Sequence, residues 1–391
     1  MITRRCALVF TVILFASGCG QDGPPTPDSP PPAAPAPGTW ALAPEPSLSI
    51  SALEGEALDS LRAVTGAAQL PDGRLVVATQ ADRMVRIFTA DGQLIRTFGG
   101  RGNGPDRFQF IRGVFPYRGD SLAVVDQARV AILDTTGNFG RSVPMSAPLT
   151  ARAGWQPIDR GAGIVDAFAD GGFLAEGWTF VAVEGVGARR GRAALLHLSA
   201  EGQLLDTIGE FAHRVVRLEG GRLESSHMPA PLAYTVVDHE LVVGSGDEPL
   251  LEVLAPDGTV RDTIPVGEPS TAMDRAAQTA FYERLVVQLG VADDPDIVPP
   301  AEMEGVFPDS APRFHEVVAD ADGNLWLAVP SLDLPGEQLR WVVYSRQGQR
   351  LAEIILPFTA RIVGFRDGEI LLLESGEREL GFLRAYRILK P

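Results

Sequence analysis

Residues 70–99 read LPDGRLVVATQADRMVRIFTADGQLIRTFG and contain the pattern that recurs through the rest of the chain. A polar turn at Asp72-Gly73 precedes an alternating strand, Arg86–Phe88 lies in a second strand, and Asp91-Gly92 turns into a third. The two hairpins share their central strand, so this stretch predicts an antiparallel meander.

The same order of strands and turns returns five times, the last time without a final strand. The second turn of each complete copy contains a glycine, and successive glycines are 45, 65, 56 and 90 residues apart. A four-stranded unit of about 45 residues that carries insertions predicts a β-propeller, and six copies predict six blades. The later copies are Tyr117–Val143, Ala169–Gly209, Val236–Ile264, Asp320–Ile355 and Arg366–Leu389, and the second-turn glycines are Gly92, Gly137, Gly202, Gly258 and Gly348.

The incomplete sixth copy predicts how the ring closes. The segment Pro46–Leu53 alternates apolar and polar side chains, so we expect it to pair beside the C-terminal strand and cover an open sheet edge. The sequence thus predicts an all-β, six-bladed propeller over residues 39–391. A pair of β-sandwiches is the alternative, but it leaves the regular glycine turns unexplained.

Two stretches carry a resemblance to a known group of proteins. FGGRGNGPDRF, which follows DGQLIRT, and VVDQARVAIL resemble the bacterial NHL-repeat and TolB-like six-bladed propellers. The resemblance covers about residues 40–391 and is strongest in the first two copies. It implies the fold, but such propellers include binding domains, scaffolds and a few enzymes, so it implies no single function.

The N-terminal residues predict export and a lipid anchor. A basic segment precedes an apolar run too short to span a bilayer, and Leu14–Cys19 resembles the bacterial lipoprotein signal. We expect residues 1–18 to be a signal peptide, Cys19 to carry the lipid that binds the membrane, and the proline-rich residues 19–38 to be a tether. The protein is then expected in the cell envelope, with Gly20 favouring the outer membrane, facing the periplasm or the cell surface. An ordinary secretory signal is the alternative.

Charge and loop placement bear on the partner. The formal net charge of −16 argues against nucleic acid. Long segments fall on connections that emerge on one face of a propeller, so we expect this face to bind a peptide, protein or glycan. The longest contains a predicted helix over about residues 270–290, with a cap at Ser270 or Thr271 and an apolar stripe that packs on the propeller. These long segments are 144–165, 179–192, 210–232, 266–312 and 330–339.

Arginines in the loops of this face are the candidate ligand-binding residues. Guanidinium groups on an acidic background favour an anionic ligand such as a carboxylate or phosphate. The alternative, and the simpler interpretation, is local pairing with nearby glutamates such as Glu210. The candidates are Arg101, Arg107, Arg152, Arg189, Arg190, Arg192, Arg214 and Arg217.

No reaction motif accompanies the predicted fold. The loop Gly99–Gly104 lacks the spacing and the following helix of a phosphate-binding loop, and Gly244-Ser245-Gly246 lacks the frame of a nucleophile elbow. We therefore predict a binding or scaffold module, with no catalytic residue and no cofactor, rather than an enzyme. A metal-dependent hydrolase or lyase with an axial site, lactonase-like or amidating-lyase-like, is the alternative.

The metalloenzyme alternative requires side chains that can converge on a metal ion. The histidines show no HxH or HExxH spacing, and His213, His227 and His315 are weak candidates only. The run Asp320–Asn324 places oxygens at positions 1, 3 and 5 of a calcium loop, but its glycine stands at position 4 instead of 6. We therefore predict a hairpin turn there and no metal site.

Overall fold

The structure is a computed structural model that describes most of the chain after the proline-rich segment. The described residues are 38–51, 61, 63–127, 129–144, 156–157, 163–179, 188–219, 222–225, 232–289, 307–330, 338–357, 360–375 and 381–390. None of their helices is long and apolar enough to cross a membrane.

Strands dominate the described residues, and they fall into six groups, here called blades 1 to 6. The N-terminal strands are β1 (Gly38–Thr39), β2 (Ala41–Leu42) and β3 (Leu48–Ile50). Blade 1 contains β4 (Val64–Gln69), β5 (Leu75–Thr79), β6 (Met84–Phe88) and β7 (Leu94–Gly99). Blade 2 contains β8 (Gly113–Tyr117), β9 (Ser121–Val125), β10 (Arg129–Asp134) and β11 (Phe139–Pro144). Blade 3 contains β12 (Gln156–Pro157), β13 (Ile164–Ala167), β14 (Phe173–Thr179), β15 (Ala188–Leu198), β16 (Leu204–Glu219) and β17 (Arg222–Ser225).

The second half of the ring continues in the same order. Blade 4 contains β18 (Leu232–Val237), β19 (Glu240–Ser245), β20 (Leu250–Leu254) and β21 (Val260–Pro265). An insertion follows with β22 (Thr271–Ala272), α1 (Arg275–Leu289) and β23 (Ser310–Ala311). Blade 5 contains β24 (Glu316–Ala319), β25 (Leu325–Val329), β26 (Gln338–Tyr344) and β27 (Arg350–Pro357). Blade 6 contains β28 (Ala360–Arg366), β29 (Glu369–Ser375) and β30 (Gly381–Leu389).

The blades form the predicted six-bladed propeller. The main strands of each blade pair in sequence order, and the first strands of neighbouring blades contact one another, as β28 does with β4 and β4 with β8. The first strands are therefore innermost. The five predicted second-turn glycines all have φ between 77° and 87°, a left-handed conformation that glycine adopts without steric cost. The glycine spacing thus predicted the blade number correctly.

The N-terminal strands close the ring as expected. Strand β3 pairs antiparallel with β30, with Leu48 opposite Ala385 and Ile50 opposite Leu383, so it supplies the missing fourth strand of blade 6. Two further pairings were not predicted. Strand β2 extends the antiparallel pairing with β30, and β1 runs parallel to β27 at the outer edge of blade 5.

The core lies between the blades. All five residues of β5 and of β25 are buried, because each blade is covered by a neighbour on both faces. This explains the continuous apolar runs LVVAT and LWLAV. Val76 of blade 1 packs in the same hydrophobic cluster as Val124 of blade 2, and similar clusters join the other blades.

The helix in the insertion begins later than predicted. Thr271 is paired in β22, and the helix is capped instead by Asp274, whose carboxylate accepts a hydrogen bond from the backbone N–H of Ala277 at 2.9 Å. The described part of the apolar stripe packs within the insertion. Ala277, Phe281 and Tyr282 lie against a small cluster formed by Met273, Phe307 and Ala311.

Two segments predicted as loops are in part strands. Strands β15 and β16 continue their pairing past the other strands of blade 3, through Arg189 opposite Val216, and β17 folds back on β16. The predicted connections 179–192 and 210–232 therefore contain an extended hairpin.

Candidate functional site

An axial cavity of about 530 Å³ lies among the innermost strands. The first strands of four consecutive blades form most of its wall, so the cavity is a property of the ring rather than of any one blade. Such a concave site at a propeller axis is where a ligand can be surrounded by rigid elements. The cavity is lined by residues 65–68, 112–116, Val125, 164–166 and 361–363.

Three charged residues interrupt an otherwise apolar or small-residue lining. Arg112 directly precedes β8, Asp166 is in β13, and Arg361 is in β28. Arg112 and Arg361 lie at the start of a first strand, where the chain arrives from the preceding blade, whereas Asp166 is the third of the four residues of β13. The two arginines therefore lie toward the face that receives the inter-blade connections.

Asp166 is the cavity's carboxyl group. Burial raises its pKa to about 6, and the hydrogen bond that it accepts from the backbone N–H of Ala167, at 2.8 Å, opposes this shift. The carboxyl therefore changes charge within the pH range in which most proteins work.

Arg361 and Glu316 interact across neighbouring blades. Burial raises the pKa of Glu316, the first residue of β24, while the positive charge of Arg361 acts in the opposite direction. Burial likewise lowers the pKa of Arg361, and Glu316 opposes that change. The Arg361 guanidinium also donates a hydrogen bond to the carbonyl of Thr65 at 3.5 Å. Arginine remains protonated in proteins, so Arg361 keeps a positive charge at the cavity.

A second group of titratable side chains lies beside Asp166. The Tyr234 hydroxyl of β18 donates to Glu176 of β14 at 2.5 Å, and His213 Nε2 lies 3.7 Å from the same carboxylate. Burial, Glu176 and the nearby Asp166 together hold the pKa of Tyr234 well above its usual value. Tyr234 is therefore a neutral donor that ties blade 4 to blade 3.

The weak candidate metal ligands do not come together in the described part of the chain. His213 lies against Glu176, whereas His315 is buried before β24, where burial lowers its pKa to about 4 and its Nδ1 has no partner among the described residues. His227 lies outside the described residues. Within the described ranges no three His, Cys, Asp or Glu side chains are placed to hold a metal ion.

The calcium-like run is a hairpin turn, as predicted. The Asp320 carboxylate accepts hydrogen bonds from the backbone N–H groups of Asp322 and Asn324, and from the indole of Trp326 at 3.0 Å. These bonds close the turn between β24 and β25 and occupy the carboxylate.

The predicted arginines are spread over three settings. Arg192 forms an ion pair with Glu210 at 3.2 Å, which is the local pairing considered as the alternative. Arg107 donates to the carbonyl of Gly99 at 2.5 Å, and Arg101 is bridged to Phe108, so both belong to the glycine-rich connection between blades 1 and 2. The structure describes only the backbone of Arg189, Arg190, Arg214 and Arg217, in β15 and β16, and Arg152 lies outside the described residues.

Sequence reasoning missed Arg112, Asp166 and Arg361. A signal exists, because each interrupts a short apolar segment that begins a blade, in IRGVF, IVDAF and ARIVGF. Both faces of a first strand are covered by neighbouring blades, so a charged side chain at this position reaches water only in the axial cavity.

The glycine-rich connection holds the chain close to blade 1. Gly99 and Gly100 both have φ of 106°, and a Cβ atom on Gly99 would lie 2.7 Å from the carbonyl oxygen of Arg83 and 2.9 Å from the Phe108 ring. Phe108 itself is fully buried. The glycines therefore permit tight packing of the loop, as expected for a feature of the fold rather than a phosphate site.

Comparison with known proteins adds little to these observations. No family model matches the chain, and no curated protein matches it in sequence. Solved structures similar to it include a member of the DUF4221 family from Bacteroides vulgatus, with 10% identity, a TM-score of 0.46, and coverage of 90% of this chain and 99% of that one. Others are virginiamycin B lyase from Staphylococcus aureus, with 10% identity, a TM-score of 0.40 and coverage of 87% and 98%, and a calcium-binding protein, regucalcin, from Agrobacterium tumefaciens, with 12% identity, a TM-score of 0.42 and coverage of 90% and 98%. At this level of similarity neither ligand nor activity transfers to the present chain.

Proposed function

We propose that this protein is a binding module of the bacterial cell envelope, held at a membrane by lipid on Cys19, whose axial cavity takes an anionic group of its ligand. The group is a carboxylate, carried by a peptide, protein or glycan that approaches the face of the inter-blade connections. The observation that carries the proposal is the placement of Arg112 and Arg361 in the wall of one cavity of about 530 Å³.

The charge distribution supports an anionic ligand. The whole chain has a formal charge of −16, so two guanidinium groups in one concave site are a local reversal of sign. Hydrogen bonds between guanidinium and carboxylate groups are charge-assisted, and a site shielded from bulk water strengthens them. Asp166, the third charged lining residue, lowers this attraction when ionised and adds an O–H donor when protonated.

The lining residues support binding rather than covalent chemistry. Among the described lining residues, Thr65 is the one with a hydroxyl group. This hydroxyl donates a hydrogen bond to the carbonyl of Ala78 at 3.4 Å and is not bonded to a general base. Tyr234, next to the cavity, is held neutral by its surroundings. These groups position and recognise a ligand, whereas nucleophilic catalysis needs a nucleophile in contact with a base.

Titration of the full chain in detergent with two small carboxylates, N-acetylalanine and galacturonate, tests the proposal. We expect both acids to bind and their methyl esters to bind at least tenfold more weakly. Arg112→Gln and Arg361→Gln should each lower the affinity for both acids by about 10- to 100-fold, since a hydrogen bond to a charged group contributes about 1.5–3 kcal/mol. Arg96→Gln, an exposed arginine on the outer strand β7, is the matched control and should change nothing. Failure of either acid to bind, or equal binding of acid and ester, would refute the proposal.

The membrane anchor has its own test. Cys19→Ala should release the protein from the membrane fraction of cells that express it, because no other lipid attachment site is predicted. Membrane association that survives the substitution would contradict the anchor while leaving the axial site untouched.

A further inference from the structure

A second cavity, of about 290 Å³, is lined in part by residues next in sequence to those that line the axial cavity. The two cavities share two short segments of chain. Gln109 lines the second cavity and Arg112 the first, while Val125 lines the first and Asp126 and Gln127 the second. The second cavity, here called the loop cavity, is lined by Gly102, Asn103, Gln109, Asp126, Gln127 and Arg129.

Buried hydrogen bonds hold the shared segments together. The buried Asp126 carboxylate accepts from the backbone N–H groups of Gln109 at 3.0 Å, Phe110 at 2.7 Å and Gln127 at 2.8 Å. The backbone N–H of Arg112 donates a hydrogen bond to the carbonyl of Val125 at 2.8 Å. Because a fully extended chain advances at most about 3.6 Å per residue, Gln109 and Arg112 lie within about 11 Å of each other. The linings of the two cavities therefore approach each other within the length of a short oligosaccharide.

Between Gln109 and Arg112 the chain exposes an aromatic side chain. Phe110 is 44% exposed, and the Arg112 guanidinium lies over its ring, 5.4 Å from the ring centre. This contact fixes the orientation of the ring next to Arg112. An exposed aromatic ring with a fixed orientation is a surface on which the apolar face of a sugar ring stacks.

The loop cavity offers amide groups. Gln109 donates to the carbonyl of Gly102 at 3.0 Å and also bonds the side chain of Asn103, which fixes both amides in place. The side chain of Gln127 is exposed and has no partner among the described residues. Gln109 uses its N–H groups in these bonds and keeps its Oε1 acceptor, Asn103 keeps its amide N–H donors, and Gln127 has donors and an acceptor, so together they offer the groups that neighbouring sugar hydroxyls bind.

We propose that the loop cavity and Phe110 form a sugar subsite, so that the ligand of the axial cavity is an acidic oligosaccharide. A uronic acid places its carboxylate near Arg112 and Arg361, and the next ring stacks on Phe110 and hydrogen-bonds to Asn103, Gln109 and Gln127. The amide-rich lining favours hydroxyl groups over the apolar side chains of a peptide. This inference rests on the proposed function, because it identifies the ligand of the same site.

Binding of galacturonate and of its linear trimer to the full chain in detergent tests the subsite. We expect the trimer to bind at least tenfold more tightly than the monomer. The presence of three rings that could each occupy the carboxylate site would by itself raise the affinity only threefold. Phe110→Ala and Gln127→Ala should each reduce that advantage several-fold, and Gln127→Ala, which removes no contact of Arg112, should leave the affinity for the monomer unchanged. Gln93→Ala, an exposed glutamine in the turn between β6 and β7, is the matched control and should keep the full advantage. Unchanged melting temperatures would show that the variants are folded.

The outcomes separate the inference from the function beneath it. Monomer binding without a trimer advantage, or an advantage that both variants keep, overturns the sugar subsite and leaves the carboxylate site intact. Tri-glutamate that binds more tightly than the trimer, with the same loss in Phe110→Ala and Gln127→Ala, overturns the sugar in favour of a peptide. No binding of the monomer defeats both proposals together.

Discussion

The connection between blades 1 and 2 and the connection between blades 4 and 5 belong to the same face of the propeller but are built differently. The middle of the longer one, between Pro265 and Glu316, packs on itself through Met273, Phe307 and Ala311, while Val266 and Phe314 near its ends lie in the core between blades 4 and 5. The shorter one places Phe108 and Ile111 in the core between blades 1 and 2 and ends at Arg112, in the axial cavity. Both connections therefore enter the core, but among the described residues only the shorter one also contributes to the wall of the axial cavity.

The base of the longer connection is a buried ion pair. Glu268 is only 7% exposed and accepts hydrogen bonds from the Tyr344 hydroxyl at 2.7 Å and from Arg350 Nε at 3.0 Å. Glu353 also pairs with Arg350, at 2.8 Å, but its side chain is 34% exposed. Arg350 therefore has one buried glutamate partner and one half-exposed glutamate partner.

The largest expected effect is on stability alone. Glu268→Ala should lower the free energy of unfolding by about 3 kcal/mol, because it removes the buried acceptor of both the Tyr344 hydroxyl and Arg350 Nε and leaves Arg350 with Glu353 as its ion-pair partner. Glu353→Ala, the matched control, should lower it by less than about 1 kcal/mol. Urea denaturation measures both, and galacturonate affinity should remain unchanged in each folded variant. Equal losses in the two variants, or weaker binding in Glu268→Ala, would remove the distinction between the connections.

The shorter connection is expected to affect both stability and binding. Gly99→Ala should lower the free energy of unfolding by about 2–3 kcal/mol, since the residue needs a positive φ and the new methyl group meets a backbone carbonyl and the Phe108 ring. It should also reduce the galacturonate trimer advantage, because the loop that carries Asn103 and Gln109 must shift. Thermal and urea unfolding, together with titration of the trimer, provide the measurements.

Gly119 supplies the control for that substitution. Its φ is 58°, and a Cβ atom there would meet nothing within 4 Å. Gly119→Ala should therefore cost only the backbone strain, about 1–2 kcal/mol, and leave trimer binding unchanged. If the two alanine variants behaved alike, the tight packing of the glycine-rich connection would have no energetic weight.

The smallest effect concerns pH. Asp166, with a pKa of about 6, is neutral below that pH and charged above it, so galacturonate should bind more weakly as the pH rises through 6. Repulsion between two charges about 10 Å apart at an effective dielectric constant of about 20 is on the order of 1–2 kcal/mol, or about tenfold in affinity. Calorimetric titration between pH 5 and pH 8 measures the change.

The same shift has a consequence for folding, with a definite sign. The pKa of Asp166 in the folded protein lies above its unfolded value of about 3.9, so folding favours the neutral carboxyl. This contribution to stability is complete below about pH 4 and disappears as the pH rises through 6. Asp166→Asn should remove both of these pH dependences, and a variant that retained them would assign the titration to another group, such as Glu316.

Local chemistry accounts for what the sequence predicted well. A hairpin turn needs a glycine with positive φ and two alternating strands, and both are readable within a dozen residues. The prediction of α1 was correct in existence but not in its start, because Thr271 pairs with Ala311, a residue distant in sequence. The extended pairing of β15 and β16 was missed for the same reason.

The candidate site was less predictable. The arginines chosen from the sequence were expected in long loops, where charge is common, and most of them lie instead in β15 and β16, whereas Arg112 and Arg361 lie at the starts of first strands. Their significance depends on the ring, because only ring closure brings β28 next to β4 and β8 and makes the start of a first strand face an axis.

The sequence by itself thus determined the blade number, the closing strand and the hairpin turns, since each follows from short-range backbone geometry and from the alternation of apolar side chains. The tertiary structure alone decided which charges meet. Arg112, Asp166 and Arg361 come from three different blades, and no local pattern records the distance between them. Burial in the shared cavity then raises the pKa of Asp166, which is a property of that environment and not of any segment of the chain.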